Sequence, residues 1–328
     1  MSLLIIDSNN ILHRALYSPE YFSTEYLGNF TGGVLGFLEY TRDIIASSSK
    51  NTKLICVWDG QRSVRCSEYY KEYKRNRDPK TEQDILIKKE HFKKFNDQKN
   101  ILCKELISNL PILSYQDDLH EADHVIYQIC RLHSTEDITV VSEDKDLLQL
   151  INMFDNLKVF RPIKKEMVTK QNFKEITGVS LKAFLIYKAM LGDDSDNIPG
   201  PDGVGAKTAI KMANLIDDER PYESLVEVSK TFHDADIEKC KKKPEVKYKR
   251  ESLVYNGLGV VARNLELMDL SREEFKNITM YNLAVKLFEF KAELNEINLI
   301  QTFHRYGFRN IIQQYNFWIQ PFKNRSYK

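Results

Sequence analysis

The chain has 328 residues, of which 42% are hydrophobic and 11% aromatic, enough for a packed core and too apolar for global disorder. With 48 basic against 47 acidic residues the formal net charge is +1, so an oppositely charged partner has to be held by local patches. No apolar run approaches the ~18 residues a membrane helix needs, and the short run at 3–6 meets Asp7 without a basic flank, so neither a membrane partner nor export is expected.

In chain order, apolar runs at 3–7, 54–59, 138–142 and 157–161, with a weaker one at 111–115, predict strands of a parallel sheet buried on both faces. Residues 33–49 and 122–132 have helical spacing; in the second, Ala122, Val125, Ile126 and Ile129 form one apolar stripe. This alternation predicts an α/β fold, a mainly parallel central sheet flanked by helices. Past about Phe173 the strand signal fades. The expected division is a core over 1–177 and a helical domain over 178–328. Five cysteines without a C-x-x-C pair, Cys56, Cys66, Cys103, Cys130 and Cys240, read as thiols of a reducing, cytoplasmic compartment.

Acids gather where such a sheet places its chemistry, outside the carboxyl ends of its strands. They lie in five islands, Ile-Ile-Asp7, Val-Trp-Asp59, Glu121-Ala-Asp123, Ser142-Glu-Asp144-Lys-Asp146 and Gly192-Asp193-Asp-Ser-Asp196. A lone Asp at a strand end usually caps the next helix. Several acids on one edge would repel one another, and a hard cation such as Mg²⁺ or Mn²⁺ relieves this, because oxygen donors without paired Cys or His disfavour zinc. Glu121 and Asp123 are two residues apart, so they can serve one site only if a helix begins there. Glu143 and Asp194, between these positions, are expected to face solvent.

Positive charge concentrates in two segments. From Arg62 to Lys104, residues such as Lys71, Lys74, Arg75, Arg77, Lys80 and Lys88 alternate with Tyr69, Tyr70, Tyr73, Phe92 and Phe95. From Lys239 to Arg250, Lys241, Lys242, Lys243, Lys247 and Lys249 are opposed only by Glu245. A basic run is ordinarily a solvated face, but cations mixed with aromatics suit phosphates and unpaired bases. Gly203-Val-Gly205-Ala-Lys207-Thr208 opens a helix over 206–215 after one over 181–191, an arrangement that can grip a duplex backbone through its amide groups, with Lys207 and Lys211 adding charge.

Together these residues resemble the flap endonuclease and 5′–3′ exonuclease superfamily, which includes the phage nucleases named ribonuclease H. The strongest match runs from Gly192-Asp-Asp-Ser-Asp-Asn-Ile-Pro-Gly200 into Gly203-Val-Gly-Ala-Lys-Thr-Ala209. Tyr73-Lys74-Arg75-Asn76-Arg77, Glu121-Ala-Asp123, Asp144-Lys-Asp146-Leu147 and Arg263-Asn-Leu-Glu-Leu-Met-Asp-Leu270 are similar to further family segments, so the resemblance covers about 1–269. It implies a PIN-like nuclease core with a helical arch at about 62–104 and a helix-hairpin-helix at about 181–215. It implies one Mg²⁺ near Asp7, Asp59, Glu121, Asp123 and Asp144 and another near Asp144, Asp146, Asp193 and Asp196, with Mn²⁺ as substitute. It implies Lys74 and Arg77 on the scissile phosphate, Tyr73 under the unpaired terminal base, and Gly203, Gly205, Lys207 and Thr208 on the duplex, with K⁺ at the hairpin.

The implied activity is structure-selective 5′ nuclease cleavage of DNA or RNA–DNA at flaps and 5′ ends. The implied protein is a monomer of replication and repair working beside a sliding clamp or single-strand-binding protein. Many relatives have a second Asp where this chain has His124, and the spacing before Tyr73 is one residue longer than usual, which bears on Arg65. The aromatic tail around Phe317, Trp318 and Phe322 is expected to pack on the helical domain. The rival readings are a non-catalytic binder of branched DNA and a phosphohydrolase acting on small molecules.

Overall fold

The computed structural model describes residues 2–21, 24–242, 249–273 and 275–325; of the second basic segment, Lys243, Glu245 and Lys247 lie outside the described residues. Its centre is a six-stranded sheet. The strands are β1 (Ser2–Asp7), β2 (Thr52–Trp58), β3 (Ile112–Gln116), β4 (Asp137–Val141), β5 (Leu157–Arg161) and β6 (Glu166–Val168), arranged in the order β3-β2-β1-β4-β5-β6. All pairings are parallel except that of β6, which closes the edge antiparallel to β5. The expected α/β class and the five expected strands are present; β6 was not foreseen.

Because successive side chains of a strand point to opposite faces, each apolar run feeds two cores. Leu3, Ile5, Ile55, Val57, Ile138 and Val140 pack on one face against Val125, Ile126 and Ile129 of the helix Ala122–Leu132. Leu4, Ile6, Leu54, Cys56, Trp58 and Val141 pack on the other, against Ile11 and Leu12 of α1 (Ser8–Leu16) and Val34, Phe37 and Leu38 of α2 (Gly32–Ser47).

Between β2 and β3 the chain leaves the body. A short helix, Val64–Tyr69, and a 3₁₀ turn, Arg75–Arg77, lead into α3 (Glu82–Asn100), whose first turns are exposed on every side. A capping box starts it: the Thr81 side chain accepts the Asp84 amide at 3.0 Å and the Asp84 carboxylate accepts the Thr81 amide at 2.9 Å. At its far end Gln98 Oε1 accepts the Val34 amide at 3.2 Å, tying the arch back to α2.

Helix Ala122–Leu132 is α4, and the helical half follows: α5 (Phe184–Leu191), a two-stranded hairpin pairing Gly192–Asp193 with Ile198–Pro199, α6 (Ala206–Ala213), α7 (Pro221–Lys242), α8 (Arg250–Asn256) and α9 (Leu258–Met268). Met212, Leu225, Val254 and Val261 continue the core on the sheet face covered by α4. The chain then turns back. Leu299, Phe303, Trp318, Ile319 and Phe322 pack on the opposite sheet face, with α1 and α2. The tail therefore docks on the sheet of the first half, not on the helical second half as its position in the sequence suggested.

Candidate active site

β1 has β2 on one side and β4 on the other, so the strand order reverses there and the crevice beyond its carboxyl end is the expected place for a ligand. Asp7 ends β1, Asp59 follows β2, and Ser142–Asp144 follow β4. Asp7, Asp59 and Asp144 line one cavity of about 1080 Å³ together with Glu121, Asp123, Asp146, Asp193 and Asp196 and with the arch residues Lys74, Arg77, Lys88 and Phe92. All eight expected acids thus meet in one place.

Local hydrogen bonds fix most of them. Asp7 accepts the Ser142 hydroxyl at 2.7 Å and the Asn10 amide at 3.4 Å. Asp59 accepts the Ala122 amide at 2.8 Å, the first backbone N–H of α4. Glu121 is the N-cap of that helix with extended backbone, so Glu121 and Asp123 reach one site because the helix starts between them. Asp144 accepts the Asp146 amide at 2.8 Å, and Asp193 accepts the Ser195 amide and hydroxyl at 2.8 and 2.6 Å.

The charges fall into two groups. Among the described residues, no lysine or arginine lies within ion-pair distance of Asp7, Asp59, Asp123 or Asp144. Burial, reinforced by the neighbouring carboxylates, raises Asp7 and Asp123 well above the usual carboxylate range and pushes Asp144 up to about 7. In the other group every acid has a cation. Lys188 Nζ is 2.7 Å from Asp146 Oδ1 and 3.1 Å from Asp193 Oδ2; Arg77 is 2.6 Å and Lys74 3.6 Å from Asp196. Lys74 also donates to Glu121, and against the effect of burial this charge holds the Glu121 carboxyl below its ordinary value. Lys188 carried no sequence signal beyond being a lysine on an apolar helix five residues before Asp193.

The base of the arch is locked to the acidic hairpin. The Lys74 amide donates to Asp196 O at 2.8 Å, Asn76 to Asp194 O at 2.7 Å, Arg77 Nε to Ser195 O at 3.0 Å, and Asn197 to Glu72 O at 2.7 Å. Tyr73 is 4% exposed, among Cys66, Ile198, Leu267 and Met268, with its hydroxyl 3.4 Å from Glu121. Its ring is covered and supports Lys74 and Glu121, so it offers no open face to a terminal base. Glu143 is buried as well, accepting the Ile163 amide at 2.7 Å and facing Arg161 at 3.4 Å, which corrects its expected exposure; Asp194 is exposed as expected.

Arg65 pairs with Glu273 at 3.3 Å and donates to Glu266 O at 2.7 Å, away from the cavity. His124 is 3% exposed and burial lowers its pKa, so it is an interior imidazole of α4. Gly203, Gly205, Lys207 and Thr208 lie outside the cavity lining, at the start of α6. Gly203 has φ +75°, and Gly205 has open space where a Cβ would be, so backbone there is accessible to a ligand.

The model of the 5′-3′ exonuclease N-terminal resolvase-like domain matches residues 2–178. The chain belongs to the 5′–3′ exonuclease family. It is 35% identical over 233 residues to the 5′-3′ exonuclease of Bacillus subtilis (strain 168), covering 68% of this chain and 71% of that protein. Its fold matches the zinc-bound 5′-exonuclease of phage T5, with TM-score 0.59 at 20% identity over 92% of this chain and 97% of that one. The phage T5 flap endonuclease in complex with DNA and metal ions gives TM-score 0.58 at 20% identity, over 88% and 94%. As a member of the family the chain is a 5′ nuclease, a phosphodiester hydrolase, and no helix among the described residues is long and apolar enough to cross a membrane.

Proposed function

We propose that this chain is a magnesium-dependent, structure-selective 5′ nuclease that cuts DNA or RNA–DNA at flaps and 5′ ends, removing flaps or RNA primers in replication. The observation that carries this reading is an uncompensated carboxylate cluster in the same cavity as Lys74 and Arg77, which pair with the neighbouring Glu121 and Asp196. The cluster fits a divalent ion, because four half-buried or buried acids without a lysine or arginine partner are costly unless a cation joins them.

One ion would be held by Asp7, Asp59, Glu121, Asp123 and Asp144, and a second by Asp144, Asp146, Asp193 and Asp196. Such a pair, when bound, supplies an activated water and neutralises the leaving oxygen of a phosphodiester, leaving a 5′-phosphate and a 3′-hydroxyl. The protein's own part is positioning and charge. Lys74 and Arg77, now turned on Glu121 and Asp196, are the cations that a scissile phosphate entering the cavity would recruit. Lys88 and Phe92 on the inner arch offer phosphate and base contacts to the unpaired strand. Residues 1–177 would cut while the helical half holds the duplex through Gly203, Gly205, Lys207 and Thr208, with K⁺ at the hairpin. Activity as a monomer, ribonuclease H action, and recruitment by a clamp or single-strand-binding protein belong to the same reading.

Incubating a 5′-flap duplex with Mg²⁺ tests it. Wild type is expected to release the flap, and Asp144→Ala to bind without cutting. Binding without cleavage by the wild type in either Mg²⁺ or Mn²⁺ would make the chain a branched-DNA binder. Cleavage of small phosphate esters alone would make it a phosphohydrolase of another kind.

A further inference from the structure

Lys188 projects from α5, an otherwise apolar helix, and is 7% exposed, with its ammonium set between Asp146 and Asp193 at 2.7 and 3.1 Å. Both aspartates belong to the group assigned above to the second metal ion. Of the acids assigned to the first ion, Glu121 pairs with Lys74, but Asp7, Asp59 and Asp123 have no lysine or arginine beside them among the described residues, whereas of the second set Asp196 is also paired, with Lys74 and Arg77. A buried ammonium bridging two carboxylates satisfies the same charge requirement as a cation in that place.

We infer that Lys188 is a resident counter-cation of the second metal position: it holds Asp146 and Asp193 in place before metal binds, and a divalent ion has to displace it. This rests on the two-ion reading of the site. Two consequences follow from charge alone. The first position, with three unpaired acids, fills more readily, while the second competes with an ammonium that bridges two of its acids and is weaker. Removing the ammonium leaves two facing carboxylates whose mutual repulsion favours the incoming ion, whereas Arg at the same position keeps the competition. Lys188 is therefore a positioning residue that sets the concentration of divalent ion at which the second position fills.

The test uses the full chain, stripped of metal and without nucleic acid, titrated with Mn²⁺ and read by the electron paramagnetic resonance signal of the free ion. Wild type is expected to bind one ion tightly and a second at least about tenfold more weakly, and Lys188→Met to tighten the second by at least about tenfold with the first little changed. Lys188→Arg is expected to keep the weak second ion. Two equally tight ions in the wild type would overturn the inference, as would a second ion in folded Lys188→Met that is no tighter. A wild type that binds no Mn²⁺ would instead sink the two-ion reading beneath it.

A second measurement needs no destabilised variant. In ¹³C-labelled wild type, with Lys188→Arg used to assign the signal, the Lys188 side-chain resonance is expected to move with the second ion as Mg²⁺ is added. Movement with the first ion, or none, overturns the proposal.

Discussion

Lys74 has φ +55°, a left-handed conformation that an L side chain adopts at a cost and that the hydrogen bond from its amide to Asp196 helps hold. That backbone turns its ammonium toward Glu121 and Asp196. Lys74→Ala is expected to lower the cleavage rate by roughly 10²–10³-fold while leaving duplex affinity much less affected, because the charge acts on the transition state. Single-turnover rates compared with binding curves decide this, and equal losses in both would reassign Lys74 to ordinary phosphate binding.

The uncompensated acids make a second prediction, about pH. Asp7, Asp123 and Asp144 have pKa values raised in the folded chain, so between the ordinary carboxylate range and about 7 the folded state holds more protons than the unfolded one. Their contribution to stability without metal is therefore lost as pH rises through that window. In chelator, Tm is expected to fall between about pH 5 and about 7, Asp144→Asn to flatten the fall, and Mg²⁺ to abolish it. A Tm that rises over that interval in chelator contradicts the assignment. The acids themselves were readable from sequence because strand ends advertise them; Lys188, His124 and the covered ring of Tyr73 were not, because their roles depend on neighbours distant in the chain.

The arch helix α3 shows why charge pattern alone is ambiguous at the scale of an element. Its apolar residues Ile85, Leu86, Ile87 and Phe92 are exposed and form no core-facing stripe over the first turns, so periodicity gave little, and the Lys-rich composition fits a solvated helix equally well. What distinguishes Ile87, Lys88, His91 and Phe92 is that they line the same cavity as the carboxylates. Neutralising Lys80 and Lys88, which both line the cavity, is expected to weaken flap binding and to reduce the slope of log affinity against log salt by about one for each phosphate no longer neutralised. An unchanged slope would place the phosphates elsewhere. Thr81→Ala removes the capping box and is expected to cost the start of α3 about 1 kcal/mol, read as faster amide exchange over its first turn.

Strands of five or more residues were legible as continuous apolar runs. β6, with three residues, and the two-residue strands around Asp194 were not, since they are set by pairing rather than by pattern. The start of α4 was legible for a different reason: serving one site with Glu121 and Asp123 required a helix boundary between them.

For the molecule as a whole, the path of the C-terminal tail is what sequence order concealed. A chain that has become helical is expected to stay with its neighbours, yet the two sheet faces need covering, and α1 and α2 leave room on theirs. Phe303, Trp318 and Phe322 fill it, with ring centroids 5.0 Å apart for Phe303 and Trp318 and 5.2 Å for Trp318 and Phe322. Polar contacts fix the register: Arg42 lies 4.4 Å from the Phe317 ring and donates to its carbonyl at 3.0 Å, and the buried Arg325 guanidinium donates to the carbonyls of Ile45, Ser49 and Thr52 at 2.8, 3.0 and 3.2 Å.

The segment ending at Arg325 thus clasps the start of β2 and the end of α2, at the amino end of the strand and away from the cavity at the carboxyl ends. Trp318→Ala should then act on stability and not on chemistry. It removes a 6%-exposed indole from a closed packing site, which is expected to cost roughly 3–5 kcal/mol of unfolding free energy, while the cleavage rate at a temperature where the variant remains folded stays at the wild-type value. Urea denaturation paired with single-turnover cleavage separates the two: a slowed rate in the fully folded variant would show that the clasp is coupled to the active site, and an unchanged midpoint would show that the tail contributes nothing to the fold.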